Sequence, residues 1–587
     1  MIFKRISCWL SFSSLAFAGT IPKRGSPVVA ERQAASTTSA VPDGACTNGP
    51  RTRNCWSNGF SISTDFDAKS PPAGVTRNYN LEITNTTANP DGGGSKPAML
   101  INKQFPGPVI QGNWGDTFVI NVKNSLQDNG TGIHWHGVRQ LNSCQHDGVP
   151  GITECPIAPG KTRQYVFKAT QFGTTWYHSH WSAQYGEGVV GTLIINGPAS
   201  ANYDEDLGVL PLTDWYYKPA FELNEQAQHS QTGPPEPDNI LVNGTHVNKS
   251  GGGKYYKMTV TKGKKYRVRL INTSVDSDFH VTFDNHPFTV ITADFVPIKS
   301  WVTDKLTIAI GQRYDVVINA NQTVGNYWFR VQPCGNNKIQ EANLPNIGAI
   351  LSYTGAASGN PTSTGVTLPT DCNDELSKNL VPFVPNTVPS DIVPADELDL
   401  NFFTVPADNN LFRWTIDGST QIVDWNTPTL EKAIGGVTDF GNNSNIYSVP
   451  TKNNWYLWHI SNQAAIPLAH PIHLHGHDFY IVGSGTGTWD GTSNGLTFNN
   501  PTRRDTATLP AAGYLLIAFP ADNAGTWVMH CHIAWHASQG LSVQFLEQQG
   551  SIKGNIGSTS SYTQGCKEWN QYWVPGNHPY NQTDSGI

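Results

Sequence analysis

The length and charge of the chain exclude several classes of protein. It has 587 residues, of which 38% are hydrophobic and 14% charged, and its formal net charge is -7. A chain of this size can fill several domains, each with its own core. The acidic balance and the lack of a basic run give no support for a nucleic-acid partner. After the first 18 residues no apolar run reaches about 18 residues, so we expect no membrane anchor.

Residues 1–18 have the pattern of a secretory signal peptide. Lys4 and Arg5 precede an apolar run that ends in Ala16-Phe17-Ala18, a small-residue cleavage site. Residues 19–45 are rich in Ser, Thr, Ala and Pro, which predicts a short pro-segment or linker outside the fold. We therefore expect a secreted, extracellular protein. Eight N-x-Ser/Thr sequons agree with secretion, and each is a glycosylation acceptor only if it is exposed: Asn85, Asn129, Asn243, Asn248, Asn272, Asn321, Asn442 and Asn581.

The body of the chain predicts an all-β fold. Short β-branched and aromatic runs, such as 117–122 and 265–271, alternate with Gly, Asn and Pro turns. Helical periodicity is weak throughout. This pattern is typical of β-sandwich domains.

Four His-x-His pairs lie in two copies of one repeat. Residues 173–180, Gly-Thr-Thr-Trp-Tyr-His-Ser-His, are echoed by 525–532, Gly-Thr-Trp-Val-Met-His-Cys-His. His134-Trp-His136-Gly is echoed by His473-Leu-His475-Gly, and 325–330 resemble the same strand without a histidine pair. The first and third parts of the chain are therefore copies, with boundaries near Pro198 and in the Pro-rich stretch 361–394.

Cys531 lies between His530 and His532, with His536 four residues further on. A thiolate with imidazole ligands is typical of a blue-copper centre. In an extended strand, Cys531 points to one face and its two neighbours to the other, so one strand can serve two metal sites. A buried structural cysteine with incidental histidines is the alternative, and the three other histidine clusters argue against it.

With these motifs the chain resembles the multicopper oxidases, and within them the laccases of filamentous ascomycete fungi, from about Cys46 to the last residue. The resemblance implies three cupredoxin-like β-sandwich domains at 46–200, 201–375 and 376–587. The first and third would supply copper ligands and the second would contribute to the substrate pocket. It also implies four copper ions per chain, a monomer, and one-electron oxidation of phenols or aromatic amines coupled to reduction of dioxygen to water.

The resemblance carries a ligand set over to this sequence. His470, Cys531 and His536 would hold the type 1 copper, and the electrons would pass through His530-Cys531-His532 to the other three ions. The type 2 copper would be held by His134 and His473. The type 3 pair would be held by His136, His178 and His532 on one ion and by His180, His475 and His530 on the other. Leu541 would occupy the axial position without binding, which predicts a high-potential type 1 site.

Further site residues follow from the same resemblance. Asp147 would deliver protons beside the type 2 site, although Asp-Gly is also an ordinary turn. Asp276 would accept the phenolic proton. The alternative is that Asp276 is an ordinary solvated carboxylate on a loop. His536 would accept the substrate electron, with pocket walls formed by Phe412, Trp414, Ile466, Leu468 and Trp535.

The chain has nine cysteines, of which Cys8 leaves with the signal peptide. Spacing alone does not give the disulfide connectivity. The resemblance implies the pairs Cys46–Cys55, Cys155–Cys566 and Cys334–Cys372. Cys144 is left over, either as a free thiol or in a different pairing.

The last four residues, Asp584, Ser585, Gly586 and Ile587, resemble a tail that enters the channel to the trinuclear cluster. We expect this tail to act as a channel plug, against the alternative of a disordered chain end. Among rival functions, a ferroxidase is the nearest, followed by an enzyme like ascorbate or bilirubin oxidase. Four methionines argue against a cuprous oxidase. A copper carrier would have no use for the eight paired histidines.

Overall fold

The computed structural model describes residues 46–335, 339, 346–375, 377–576, 578 and 581–587. The predicted signal peptide and pro-segment lie outside the described residues. Within them, 30 strands form six sheets and the few helices are short, so the predicted all-β class is confirmed. None of the helices in this part of the chain is long and apolar enough to cross a membrane.

The first group of strands forms two four-stranded sheets, with orders β2-β1-β4-β6 and β3-β8-β7-β5. The strands are β1 (Thr76–Ala88), β2 (Lys96–Ile101), β3 (Ile110–Asn113), β4 (Thr117–Asn124), β5 (Ile133–Trp135), β6 (Thr162–Lys168), β7 (Gly173–Ser179) and β8 (Val190–Asn196). Apolar side chains alternate inward along β4 and β6, as a half-buried strand requires.

The second group forms sheets of order β10-β9-β12-β17-β14-β15 and β11-β19-β18-β13-β16. Its strands are β9 (Glu205–Trp215), β10 (Asn239–Val242), β11 (Lys257–Val260), β12 (Lys265–Asn272), β13 (Phe279–Phe283), β14 (Phe288–Ala293), β15 (Val296–Thr303), β16 (Leu306–Ile308), β17 (Arg313–Asn319), β18 (Asn326–Pro333) and β19 (Gly348–Tyr353). Helix α1 (Ala220–His229) follows β9.

The third group forms sheets of order β21-β20-β23-β28-β25-β26 and β22-β30-β29-β24-β27. Its strands are β20 (Pro394–Val405), β21 (Leu411–Ile416), β22 (Ile446–Val449), β23 (Trp455–Asn462), β24 (His470–Leu474), β25 (Phe479–Thr486), β26 (Thr502–Arg504), β27 (Thr506–Leu509), β28 (Gly513–Pro520), β29 (Gly525–Cys531) and β30 (Ser542–Glu547). The helices are α2 (Thr429–Ile434), α3 (Ala534–Ser538), α4 (Gln549–Ile556) and α5 (Ser560–Tyr572).

The sequence repeat appears as a repeat of topology. The five-stranded sheets of the second and third groups have the same order, so β18 occupies the place of β29. In the first group β5 and β7 pair with His134 opposite His178, and in the third β24 and β29 pair with His473 opposite His530. We propose these three groups as the domains 46–200, 201–375 and 376–587.

Covalent and ionic links join the three groups. Disulfide bonds connect Cys46 to Cys55, Cys155 to Cys566 and Cys334 to Cys372, while Cys144 is a buried free thiol. Between the second and third groups, Arg313 and Asp505 form a fully buried bidentate ion pair, with both N–O distances at 2.6 Å. These links fix the three groups around the histidine pairs.

Candidate metal centres and donor pocket

Three elements of the third group bring His470, Cys531 and His536 together. His470 begins β24, Cys531 ends β29 and His536 lies on the short helix α3. Cys531 Sγ is 3.6 Å from Nδ1 of each histidine, and the two Nδ1 atoms are 3.2 Å apart. All three side chains are buried. One thiol and two imidazole nitrogens thus converge on one point, a donor set that suits copper.

The surroundings of this trio are apolar. The Trp414 ring packs against His470 and His536, with centroids 5.1 and 4.9 Å away. The backbone N–H of Cys531 donates to the carbonyl of Leu541, whose side chain is fully buried. Burial raises the pKa of the Cys531 thiol and lowers those of His470 and His536. The imidazoles are therefore neutral at ordinary pH, the form that binds metals.

A cavity of about 400 Å³ opens beside His536. We call it the donor pocket. Its walls include all the predicted pocket residues except Asp276: Phe412, Trp414, Ile466, Leu468, Trp535 and His536. Additional walls come from residues that the sequence did not single out: Ala227, Ser230, Gln231, Gly233, Pro234, Phe402, Thr404, Asn410 and Gln539.

Asp276 does not line this cavity. Its segment turns against α3 because Val275 accepts the backbone N–H of Ala534 at 2.8 Å, and the N–H of Asp276 donates to Asp214. Burial and the carboxylates of Asp214 and Asp278 raise the pKa of Asp276 well above its usual value. The predicted base therefore lies in a segment that contacts helix α3, which carries Trp535 and His536.

The eight histidines of the four pairs form a second buried cluster between the first and third groups. His180 Nε2 and His475 Nε2 each lie 3.3 Å from His530 Nε2, and His532 Nε2 lies 3.3 Å from His136 Nδ1. The rings of His134 and His475 stack at 3.7 Å. Each group supplies two pairs, so neither could build this cluster alone.

Strand β29 joins the two clusters. Cys531 points to His470 and His536, whereas His530 and His532 point into the cluster of eight. This is the alternation expected of an extended strand. Ser179 stands opposite Ile133 as Cys531 stands opposite Ile472, so the first group lacks the thiol and has no equivalent of the Cys531 trio.

Hydrogen bonds fix the ring orientation of several histidines. Nδ1 of His134 and of His473 bonds to the backbone carbonyls of Asp147 and Asp505 at 3.0 and 2.8 Å. Nδ1 of His178 bonds likewise to Ser179 at 2.9 Å. The Nε2 atoms of these three histidines are buried without a hydrogen-bond partner among the described residues. Each can therefore serve as a metal ligand whose outer nitrogen is already held.

Electrostatics also favour neutral ligands in this cluster. Burial, reinforced in most cases by neighbouring imidazoles, lowers the pKa of seven of the eight: His136, His178, His180, His473, His475, His530 and His532. Donor atoms of His180, His475 and His530 lie within 4.8 Å of one another, as do those of His470, Cys531 and His536. Buried, neutral, convergent imidazoles fit copper ions.

Asp147 lies in direct contact with the cluster. Its Oδ2 is 2.8 Å from His475 Nδ1 and its Oδ1 is 3.2 Å from His134 Nδ1. The carboxylate is buried and follows the short 3-10 helix Cys144–His146. It therefore orients one histidine from each of two pairs.

Sequence reasoning missed a second carboxylate at the cluster, Asp505. Its Oδ1 is 3.4 Å from His136 Nε2 and 3.6 Å from His473 Nδ1. Burial raises its pKa to about 7, although Arg313 opposes the shift. No local motif reveals this site, since Arg313 lies 192 residues away in the chain. Trp176, stacked on His178 at 4.2 Å, was also missed, yet it lies inside the repeated motif and could have been found there.

The C-terminal tail is docked and not disordered. Ser585 N–H donates to Ser538 O at 2.8 Å, and its carbonyl accepts the N–H of Val423 at 2.9 Å. Asp584 and Ile587 are buried. Ile587 lines a cavity of about 20 Å³ together with His178, His180, His530 and His532. The last side chain thus lies against the histidine cluster.

Comparison with known proteins agrees with this geometry. Three family models described as multicopper oxidase match residues 82–200, 206–356 and 407–551. The chain is 51% identical to Laccase-3 of Botryotinia fuckeliana over 75% of this chain and all of that protein. It is 44% identical to a laccase of Neurospora crassa, over 92% of this chain and 89% of the relative.

Solved structures give the same relationship. A laccase from Botrytis aclada superposes with a TM-score of 0.86 at 43% identity, covering 92% of this chain and 100% of that one. Fet3p, a multicopper oxidase that functions in iron import, reaches 0.75 at 25% identity, covering 87% and 98%. With the two histidine clusters, the donor pocket and these relatives, the chain belongs to the multicopper oxidase family, among the fungal laccases.

Proposed function

We propose that this laccase takes single electrons from phenols and related aromatic donors at the His470–Cys531–His536 centre, and uses them to reduce dioxygen to water at the cluster of eight histidines. The observation that carries the proposal is the end of β29, where Cys531 belongs to one centre and its neighbours His530 and His532 to the other. The Cys531 thiolate and the flanking backbone give a short covalent path between the centres.

We assign the copper ligands as the family resemblance implies. His470, Cys531 and His536 would hold a type 1 copper, with Leu541 as a non-binding axial neighbour. The type 2 ion would be held by His134 and His473. The type 3 ions would be held by His136, His178 and His532, and by His180, His475 and His530. When bound, the four ions supply one-electron oxidation at type 1 and four-electron reduction of dioxygen at the other three.

The donor pocket suits an uncharged aromatic ring. Its volume lies in the range of small-molecule sites. Phe402 and Phe412 stack with centroids 5.0 Å apart, and Trp414 meets both edge-on. His536 is the single ionisable side chain among the lining residues. Aromatic walls favour stacking of a phenol or aryl amine, and His536 at the edge would be the point where the electron leaves it.

Carboxylates would accept and donate the protons of the reaction. We assign Asp276 as the acceptor of the phenolic proton, because its segment contacts the helix that carries Trp535 and His536 and because its raised pKa makes it a better base once it is ionised. Asp147 would hold His134 and His475 and donate protons beside the type 2 ligands. Asp505, in contact with His136 and His473, would do the same from the opposite side.

The tail would regulate access to the cluster. Ile587 lies on the small cavity beside the type 3 histidines, and Gly586 adopts a positive φ of 91° that lets the chain turn into that space. We propose that Asp584 to Ile587 form a plug in the channel for dioxygen or protons. We further propose that the protein is secreted and acts as a monomer.

Oxygen uptake tests the function. The purified, copper-loaded enzyme should consume dioxygen with a methoxyphenol much faster than with ferrous ion or ascorbate. A ferroxidase is the nearest alternative, and a faster rate with ferrous ion would favour it. A Cys531→Ser variant should lose uptake with every donor, which controls for uncatalysed oxidation of the substrates.

A further inference from the structure

Helix α1 borders two cavities at once. A cavity of about 490 Å³ lies against the C-terminal tail and is lined in part by Asp584, and we call it the tail cavity. Asn224 and Gln228, four residues apart on one face of α1, line the tail cavity. Ala227, on the same helix, lines the donor pocket. A shift of this helix would therefore alter both spaces.

Strand β21 is shared in the same way. Phe412 and Trp414 line the donor pocket, and Arg413 stands between them in the sequence. The Arg413 side chain extends away from that pocket, as the alternation along a strand requires. Its Nη1 donates to Gln228 Oε1 at 2.6 Å, and its Nη2 donates to the carbonyl of Thr583 at 2.7 Å. One guanidinium thus joins β21, α1 and the residue that precedes the tail.

Helix α3 gives a second connection between the tail and the donor pocket. The N–H of Ser585 donates to Ser538 O at 2.8 Å, and its hydroxyl donates to Ala537 O at 2.7 Å. These two acceptors directly follow the histidine at the edge of the donor pocket. Gln539, the next residue, lines the pocket and donates through Nε2 to Ala227 O at 3.0 Å. The tail, α3 and α1 therefore form one hydrogen-bonded unit behind the donor site.

The Arg413 link is strong and depends on geometry. Arg413 is only 7% exposed, so its hydrogen bonds are shielded from water. Bonds from a charged donor are stronger than neutral ones, and the planar guanidinium can hold two acceptors in fixed directions. If the tail left its site, the Thr583 carbonyl would move and a buried N–H of Arg413 would lose its acceptor. The position of β21 and the docking of the tail are thus tied together.

We propose that Arg413 is a positioning residue that couples the donor pocket to the C-terminal tail, so that a bound aromatic donor and a docked tail stabilise each other. The proposal rests on the proposed function, which places the donor in that pocket. A ring packed against Phe412 and Trp414 holds β21, and β21 holds the guanidinium that binds Thr583. Such coupling is reciprocal: the docked tail raises donor affinity by the factor by which the donor favours docking.

The first test follows the tail of the copper-loaded protein without turnover. Ile587 is 3% exposed, so its release by a carboxypeptidase requires the tail to open. The probe is para-nitrophenol, an aromatic ring whose nitro group makes it hard to oxidise, and calorimetry sets the saturating concentration. Saturation should slow release of Ile587 several-fold in the parent. A synthetic peptide with the tail sequence controls for direct effects on the carboxypeptidase. Unchanged release from the saturated parent would overturn the proposal.

The Arg413→Lys variant keeps the charge and removes the fork that holds two acceptors. It should release Ile587 several-fold faster than the parent, and para-nitrophenol should no longer slow that release. The matched control is Glu225→Gln, which changes another residue of α1 in the tail cavity, one whose carboxylate pairs with His229 and not with Arg413. The control should respond to para-nitrophenol as the parent does. A response in Arg413→Lys equal to that of the parent would remove Arg413 from the link.

Steady-state kinetics separate coupling from general damage. Arg413→Lys should raise KM for a methoxyphenol several-fold, with a smaller change in kcat, and leave KM for ferrocyanide, a donor with no aromatic ring, close to the parent value. Equal increases for both donors would indicate structural damage and refute a specific role. If Arg413→Lys does not accumulate, Gln228→Met removes one acceptor and should show the same pattern. A parent that fails to oxidise phenols would contradict the proposed function, whereas normal phenol oxidation with a tail that ignores para-nitrophenol would refute the coupling alone.

Discussion

Replacing Asp505 by Asn should destabilise the protein strongly, because Asp505 forms a fully buried ion pair with Arg313. The substitution keeps the shape of the side chain and removes its charge. Breaking one partner of a buried pair costs about 3–5 kcal/mol, since the other charge stays in a medium that cannot solvate it. Asp294 lies 3.6 Å from Arg313 Nη1 but already binds Arg504 at 3.1 Å, so it offsets only part of the loss. We therefore expect a loss of about 3 kcal/mol above pH 7, where the Asp505 carboxyl is ionised.

The assay is guanidinium denaturation of the copper-free protein, followed by far-UV circular dichroism. Copper is left out because a ligand bound only to the native state would add its own stability. The control is Glu82→Gln, which removes an exposed ion pair with Lys123 of similar length, 2.7 Å. That change should hardly move the midpoint, because an exposed ion pair is screened by solvent. An Asp505→Asn midpoint that matches the control, with an unchanged slope, would refute the ion-pair account.

Four further variants test individual roles in the reaction. Leu541→Met should lower the type 1 potential by adding a weak thioether donor, and a redox titration with no change would exclude the axial assignment. Asp147→Asn should slow dioxygen reduction by about 10–100-fold while the blue absorbance persists, and normal turnover would remove Asp147 from proton delivery. Asp276→Ala should impair phenol oxidation more than oxidation of a non-phenolic dye, and equal losses would argue against a base. Asp276 must be ionised to accept a proton, and burial together with the charge of Asp214 raises its pKa. Asp214→Asn should therefore shift the rise of phenol turnover with pH to lower pH. An unchanged pH profile would show that Asp214 does not act on the pKa of Asp276.

The two clusters of candidate ligands were predictable because their residues lie in short, repeated stretches of sequence. His530-Cys531-His532 predicts how side chains alternate between the two faces of one strand, and the repeat identifies the matching strand of the first group. The pairing of His134 with His178 and of His473 with His530 follows from that repeat. The pocket walls Phe412 and Trp535 came from resemblance alone, because nothing local distinguishes them from core aromatic residues.

The residues that sequence reasoning missed depend on contacts between distant parts of the chain. Asp505 contacts the cluster while it is paired with Arg313 and Asp294 of the second group. Asp276 is not among the residues that line the cavity beside His536, and its segment is held by hydrogen bonds to Asp214 and α3.

A copper count combined with visible and electron paramagnetic resonance spectra tests the central claim most directly. Eleven convergent donors, arranged as one thiolate trio and one cluster of eight imidazoles, predict about four copper ions per chain, with an intense blue thiolate band and separate type 1 and type 2 resonance signals. Cys531→Ser should remove the blue band and keep the type 2 signal. A count far below four in the fully loaded protein, or a blue band that survives the loss of Cys531, would contradict the account.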